Sequence, residues 1–166
     1  MTGKTEPFGF SDDDLVGSDI VGITIVWADN NGIPRARTIP VEQWDSVAEK
    51  GVGVTSLFAV FDTHDGLTFD HAGLPNASGD VRLIPVPDRR VPLAGQRGLA
   101  WVPGRQVGAD GATWPYDQRG VLERQVDAAA AAGLQVQAGY ELEFFLDSSG
   151  AGPEVTPAHD GPAYRA

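Results

Sequence analysis

Residues 134–147 constrain the fold of this chain more than any other stretch, because apolar and polar side chains alternate there. Leu134, Val136, Ala138, Tyr140, Leu142, Phe144 and Leu146 fall on the even positions. Gln135, Gln137, Gly139, Glu141, Glu143, Phe145 and Asp147 fall on the odd ones. Side chains of a strand point to opposite faces in turn, so the pattern predicts a long strand over 135–147 with one apolar and one polar face. Two residues of strand rise is roughly 7 Å, which sets Glu141 and Glu143 side by side. Two carboxylates that close repel unless a cation, a proton or an arginine lies between them.

Upstream, Val21, Ile23, Ile25 and Trp27 show the same period of two. Asp29-Asn30-Asn31-Gly32 then supplies a tight turn, and 35–39 reads as the returning strand between Pro34 and Pro40. A short helix is expected over 41–50, stopped by Gly51. An apolar strand is expected over 57–61, followed by a long polar loop over 62–79 of the kind that usually carries function. Further strands are expected at 81–86 and 99–102. The glycine-rich stretch 107–114 reads as a linker. Asp117 is placed to cap a helix over 118–132 ended by Gly133, with Val121, Leu122 and Val126 as its bulkiest anchors. Residues 1–17 read as a loose leader or a short helix capped by Ser11, and 148–166 as a loop with no packing pattern. The expected fold class is α+β: a small β-rich unit over 18–106, then a helix and strand over 107–166.

Composition removes several functions. The net charge of −11, from 23 acidic against 12 basic residues, repels a phosphate backbone, so nucleic acid is not an expected partner. No apolar run reaches the roughly 20 residues that cross a bilayer. The absence of cysteine excludes disulfides and thiolate metal sites and suits a cytoplasmic protein.

The Glu141–Glu143 pair leaves three readings open: a solvated strand face, an acid/base carboxylate pair, or a hard-cation site. Its flanks bear on the choice. Gly139-Tyr140-Glu141-Leu142-Glu143-Phe144-Phe145-Leu146 resembles the strand that opens the catalytic domain of glutamine synthetases. The run from Asp29 to Arg37 is similar to a hairpin of that family's amino-terminal β-grasp domain, and Gly79-Asp80-Val81-Arg82-Leu83-Ile84-Pro85 to another of its segments. Tyr116-Asp117-Gln118-Arg119 sits where members commonly show Asp-Pro-Arg, with Gln118 in place of proline.

The resemblance implies a β-grasp domain running into the start of a catalytic domain. It implies Glu141 and Glu143 as ligands of two divalent cations, Mg²⁺ or Mn²⁺, and ATP and glutamate as substrates joined through γ-glutamyl phosphate to ammonia. A polyamine, ethanolamine or another small amine is the alternative acceptor, and a non-catalytic assembly module the alternative role. It also implies a homo-oligomeric ring. An aspartate of the small domain helps bind and deprotonate ammonium in that family. Asp62 fits its Phe-Asp-Gly segment best, although Thr63 replaces the glycine, and Asp65 is the second candidate; an aspartate shaping a turn is the competing reading. His64 and His71 share this loop, and Arg35 and Arg37 are expected on a surface strand that can line a subunit interface. The remaining ligands lie downstream in the family, so the chain alone is expected to be inactive, with 135–147 poorly protected from exchange.

Overall fold

The computed structural model describes residues 19–67, 80–144, 146–148 and 156–158. The expected leader, most of the polar loop with His71, and Phe145 lie outside them. Six strands follow in chain order: β1 (Gly22–Ala28), β2 (Pro34–Pro40), β3 (Val52–Thr55), β4 (Asp80–Pro85), β5 (Val91–Pro92) and β6 (Leu99–Val107). Among the described residues two α-helices, α1 (Trp44–Lys50) and α2 (Gln118–Ala131), accompany them, with short 3-10 turns between. The strands form one mixed sheet in the order β2-β1-β6-β4-β3, with β5 against β6. The architecture is α+β, as the sequence predicts.

The first hairpin is the one the sequence predicts. β1 and β2 pair antiparallel from Gly22↔Pro40 to Ala28↔Pro34, and Gly32 takes the left-handed conformation (φ 76°) that the turn requires. β1 then runs parallel to the first half of β6, from Gly22↔Leu99 to Val26↔Pro103. A parallel neighbour demands a crossover, and the chain supplies α1 and β3 to β5 on the way. The second half of β6 pairs antiparallel with β4, from Gly104↔Pro85 to Val107↔Arg82. Gly104 marks the exchange of partners: a Cβ there would stand 2.5 Å from Leu83 Cδ1 and 2.8 Å from Ile25 Cγ2.

Alternation places Ile23, Ile25 and Trp27 of β1, Val81 and Leu83 of β4, and Ala100 and Val102 of β6 on one buried face. Trp44 and Val47 of α1 close over it, and the buried Arg90 guanidinium lies 4.5 Å from the Trp44 ring centroid. Arg37 of β2 reaches across to Gly53 O of β3 at 3.2 Å, so the two edge strands are bridged by a side chain.

Four expectations are corrected. Residues 57–61 are not a strand: Ser56–Ala59 is a 3-10 helix whose Thr55 hydroxyl accepts from Leu57 N at 3.3 Å. An all-apolar run carries no period, so its helix and strand readings cannot be separated by pattern. The strand expected at 99–102 continues through Pro103 and Gly104 to Val107, because β6 changes partner where those residues read as a stop. The expected helix anchors Val121, Leu122 and Val126 stay exposed, and Gly120 is the buried residue of α2. Residues 135–144 form no strand; they meet no partner strand among the described residues, and their apolar side chains face solvent. Beyond them, Asp147 bridges to Pro157, with Ser148 N donating to Thr156 O and Ala158 N to Leu146 O.

Candidate functional site

The turn between β1 and β2 is built around a buried carboxylate. Asp29 Oδ1 accepts from the amides of Asn31 (2.9 Å) and Ile33 (3.0 Å), and Oδ2 from Arg35 Nε (2.7 Å). Burial by itself pushes the Asp29 carboxyl up. The Arg35 hydrogen bond, the two amides and the Arg35 charge together outweigh it and hold the group below its ordinary 3.8. The same bond raises Arg35 above its ordinary value.

Arg35 also reaches Asp65 Oδ1 at 3.3 Å, and its guanidinium lies 5.3 Å from the Phe58 ring centroid and 5.6 Å from that of Phe61. Phe58 in turn meets Trp27 edge-on at 5.3 Å. The turn therefore touches the segment that carries Asp62 through charge, aromatic faces and, in two places, amides. Asn30 Nδ2 donates to Ala59 O, and Asn31 Nδ2 donates to Asp62 O (2.8 Å) and Phe61 O (3.4 Å).

Asp62 is exposed at the head of a small closed loop. Its Oδ1 accepts from His64 N and Gly66 N, both at 2.8 Å, while its own N donates to Gly66 O. These bonds make it a turn-shaping aspartate and at the same time fix where its carboxylate stands. Asp65 sits at φ 57° and is tied to Arg35. His64 is exposed, with Nδ1 3.3 Å from Thr63 Oγ1.

Helix α2 starts against the same turn. Its cap, Asp117, is buried and accepts from Gly120 N (2.8 Å) and from Gln106 N of β6 (3.2 Å). Gln118 Nε2 donates to Asn30 Oδ1 at 2.6 Å. An Arg105–Glu123 ion pair of 2.6 Å adds a second tie to β6. A cleft of about 240 Å³ opens beside this junction between Trp101, Pro103, Gln118 and Arg119, and none of the predicted site residues lines it.

Glu141 and Glu143 stand apart from this cluster, exposed on the unpaired segment. Their carboxylate oxygens are the donor type a hard cation takes. Among the described residues, however, no three acidic, histidine or cysteine side chains gather into a ligand set. The structure thus joins Asp62 to Asn31 and Asp65 to Arg35 of the hairpin, and leaves both glutamates outside. Sequence reasoning did not single out Asn30 and Asn31 as tethers. Their partners Ala59, Phe61 and Asp62 lie 29 to 31 residues away, beyond the reach of any local signal.

Comparison with known proteins gives a consistent answer. The chain is 36% identical over 156 residues to a γ-glutamylpolyamine synthetase, GlnA3, of Streptomyces coelicolor (strain ATCC BAA-471 / A3(2) / M145), covering 92% of this chain and 33% of that protein. It is 34% identical over 127 residues to a glutamine synthetase of Rhizobium leguminosarum bv. phaseoli, covering 75% of this chain and 26% of that protein. Among solved structures, a glutamine synthase homologue superposes with a TM-score of 0.59 at 25% identity, over 68% of this chain and 27% of its own. A GmaS–ADP complex superposes with a TM-score of 0.56 at 22% identity, over 69% of this chain and 24% of its own. No family model matches. The chain thus spans about a third of one curated relative and a quarter of the other. No helix among the described residues is long and apolar enough to cross a membrane.

Proposed function

Because the chain belongs to the glutamine synthetase family, we propose that it is the front part of an ATP-dependent ligase that joins glutamate to an organic amine through γ-glutamyl phosphate. In this reading residues 18–106 are the small domain and 107–166 open the catalytic domain. Ammonia is the acceptor the family resemblance alone favours. The observation that turns the reading toward an organic amine is the match to a polyamine ligase over 92% of the chain, against 75% for the glutamine synthetase. Thr63, standing where the family's Phe-Asp-Gly segment has glycine, departs from the ammonium-site pattern.

Asp62 holds the cationic amine by charge and takes a proton from it, from an exposed loop that suits delivery into a neighbouring subunit's site. Glu141 and Glu143 would each hold one divalent cation, Mg²⁺ or Mn²⁺, whose chemistry is to neutralise phosphate oxygens during phosphoryl transfer. Two carboxylates are too few for a useful cation cage, so the 166-residue chain alone is inactive.

The test is phosphate release by the full-length protein with ATP, glutamate and each of ammonium, ethanolamine, putrescine and spermidine. A kcat/KM for one organic amine at least about tenfold above ammonium, a difference of about 1.4 kcal/mol, supports the reading. Preference for ammonium restores plain glutamine synthesis, and no release with any amine makes the protein an assembly module.

A further inference from the structure

We propose that Asn31 is a positioning residue that sets the place of the Asp62 carboxylate, and that Asn30 and Gln118 tie this setting to the start of α2. The inference rests on the reading of Asp62 as the amine-site aspartate. Loop 61–67 is closed on itself: Phe61 bridges to Leu67, Asp62 N donates to Gly66 O, Asp65 N donates to Asp62 O, and Asp62 Oδ1 takes two amides. Such a loop is stiff internally but needs an external anchor to be fixed against the sheet.

Asn31 provides that anchor through its Nδ2, donating to the carbonyls of Phe61 and Asp62 from 30 and 31 residues away in sequence. Arg35 holds the far side of the loop at Asp65, but that pair is exposed at Asp65 and worth little alone. The neighbouring Asn30 donates to Ala59 O at the loop's entry and accepts from Gln118 Nε2 across 88 residues. A carboxamide carries both a donor and an acceptor, which is what a joint between a loop carbonyl and a helix side chain requires. The hairpin tip is therefore a fixed point from which both the Asp62 loop and α2 are hung.

The chain itself gives the first readout. In Asn31→Ala, amide order parameters of residues 63–66 should fall from the rigid range near ~0.85 to below ~0.6, while β1 and β6 keep theirs. Asn31→Asp, which keeps the shape but replaces the donor with an acceptor, should behave alike and serves if the alanine variant does not fold. Unchanged loop order in a folded variant overturns the positioning role. The second readout is kinetic, in the full-length ligase. Asn31→Ala should raise the KM for the amine by about tenfold, with the KM for ATP and glutamate unchanged, whereas a merely structural role would move all three. If the loop loosens but Asp62→Asn leaves the amine KM untouched, the Asp62 assignment falls and the tether stands.

Discussion

β1 and the segment 134–146 carry the same sequence pattern and meet opposite fates. Ile23 and Ile25 are completely buried, whereas Leu142 is 89% exposed and Tyr140 is fully so. Both alternate with period two, and both are rich in residues that favour strands. The difference is partners: β1 has β2 on one side and β6 on the other, and residues 135–144 have none among the described residues. Alternation thus specifies which face of a strand is apolar, and a second element decides whether that face is ever covered.

The largest expected effect tests that contrast directly. Ile25→Ala should cost about 2–5 kcal/mol in urea unfolding, from lost transfer free energy and the cavity left behind. Leu142→Ala, the same kind of truncation on the open segment, should stay within about 0.5 kcal/mol. A cost above about 1.5 kcal/mol for Leu142→Ala would show that the segment is buried in solution and break the comparison.

The next effect lies inside the ordered region. Asp29→Asn removes the charge that pairs with Arg35 and leaves the guanidinium short of a partner, which should cost about 1–3 kcal/mol at pH 7. The pH dependence follows from the depressed carboxyl. Its stabilisation is present above the unfolded value of 3.8 and is lost as pH falls through the lower folded value. Wild-type stability should therefore decline below about pH 4, and Asp29→Asn should flatten that decline. Equal acid limbs in the two proteins would mean that the pair contributes nothing to it.

How much of this was legible depended on whether the signal was local. The β1–β2 hairpin, the Gly51 stop and the Asp117 cap are written in a few adjacent residues, and all three stand in the structure. The 3-10 turn at Ser56–Ala59 was misread because an apolar run has no period to read. The length of β6 was misread because Pro103 and Gly104 look like a terminus. They serve instead as the point where one strand passes from β1 to β4. At the site, alternation picked out the Glu141–Glu143 pair and motif resemblance gave it and Asp62 their roles, while the Asn30 and Asn31 tethers join residues 29 to 31 positions apart. No local pattern encodes a contact at that range.

The smallest effect on stability carries the sharpest statement about the open segment. Glu141→Gln and Glu143→Gln should each change unfolding of the chain by no more than about 0.5 kcal/mol, since both side chains are exposed. Under the proposed function, the same substitutions in the full-length protein should raise the Mn²⁺ concentration for half-maximal rate by at least about tenfold, because each removes a charged oxygen donor. The two measurements together separate the regions: residues of the β unit answer to folding, and under the proposed function the two glutamates answer to a cation. Marked destabilisation of the chain by either glutamine would place the carboxylates in a folded contact. An unchanged Mn²⁺ requirement would return them to a solvated face.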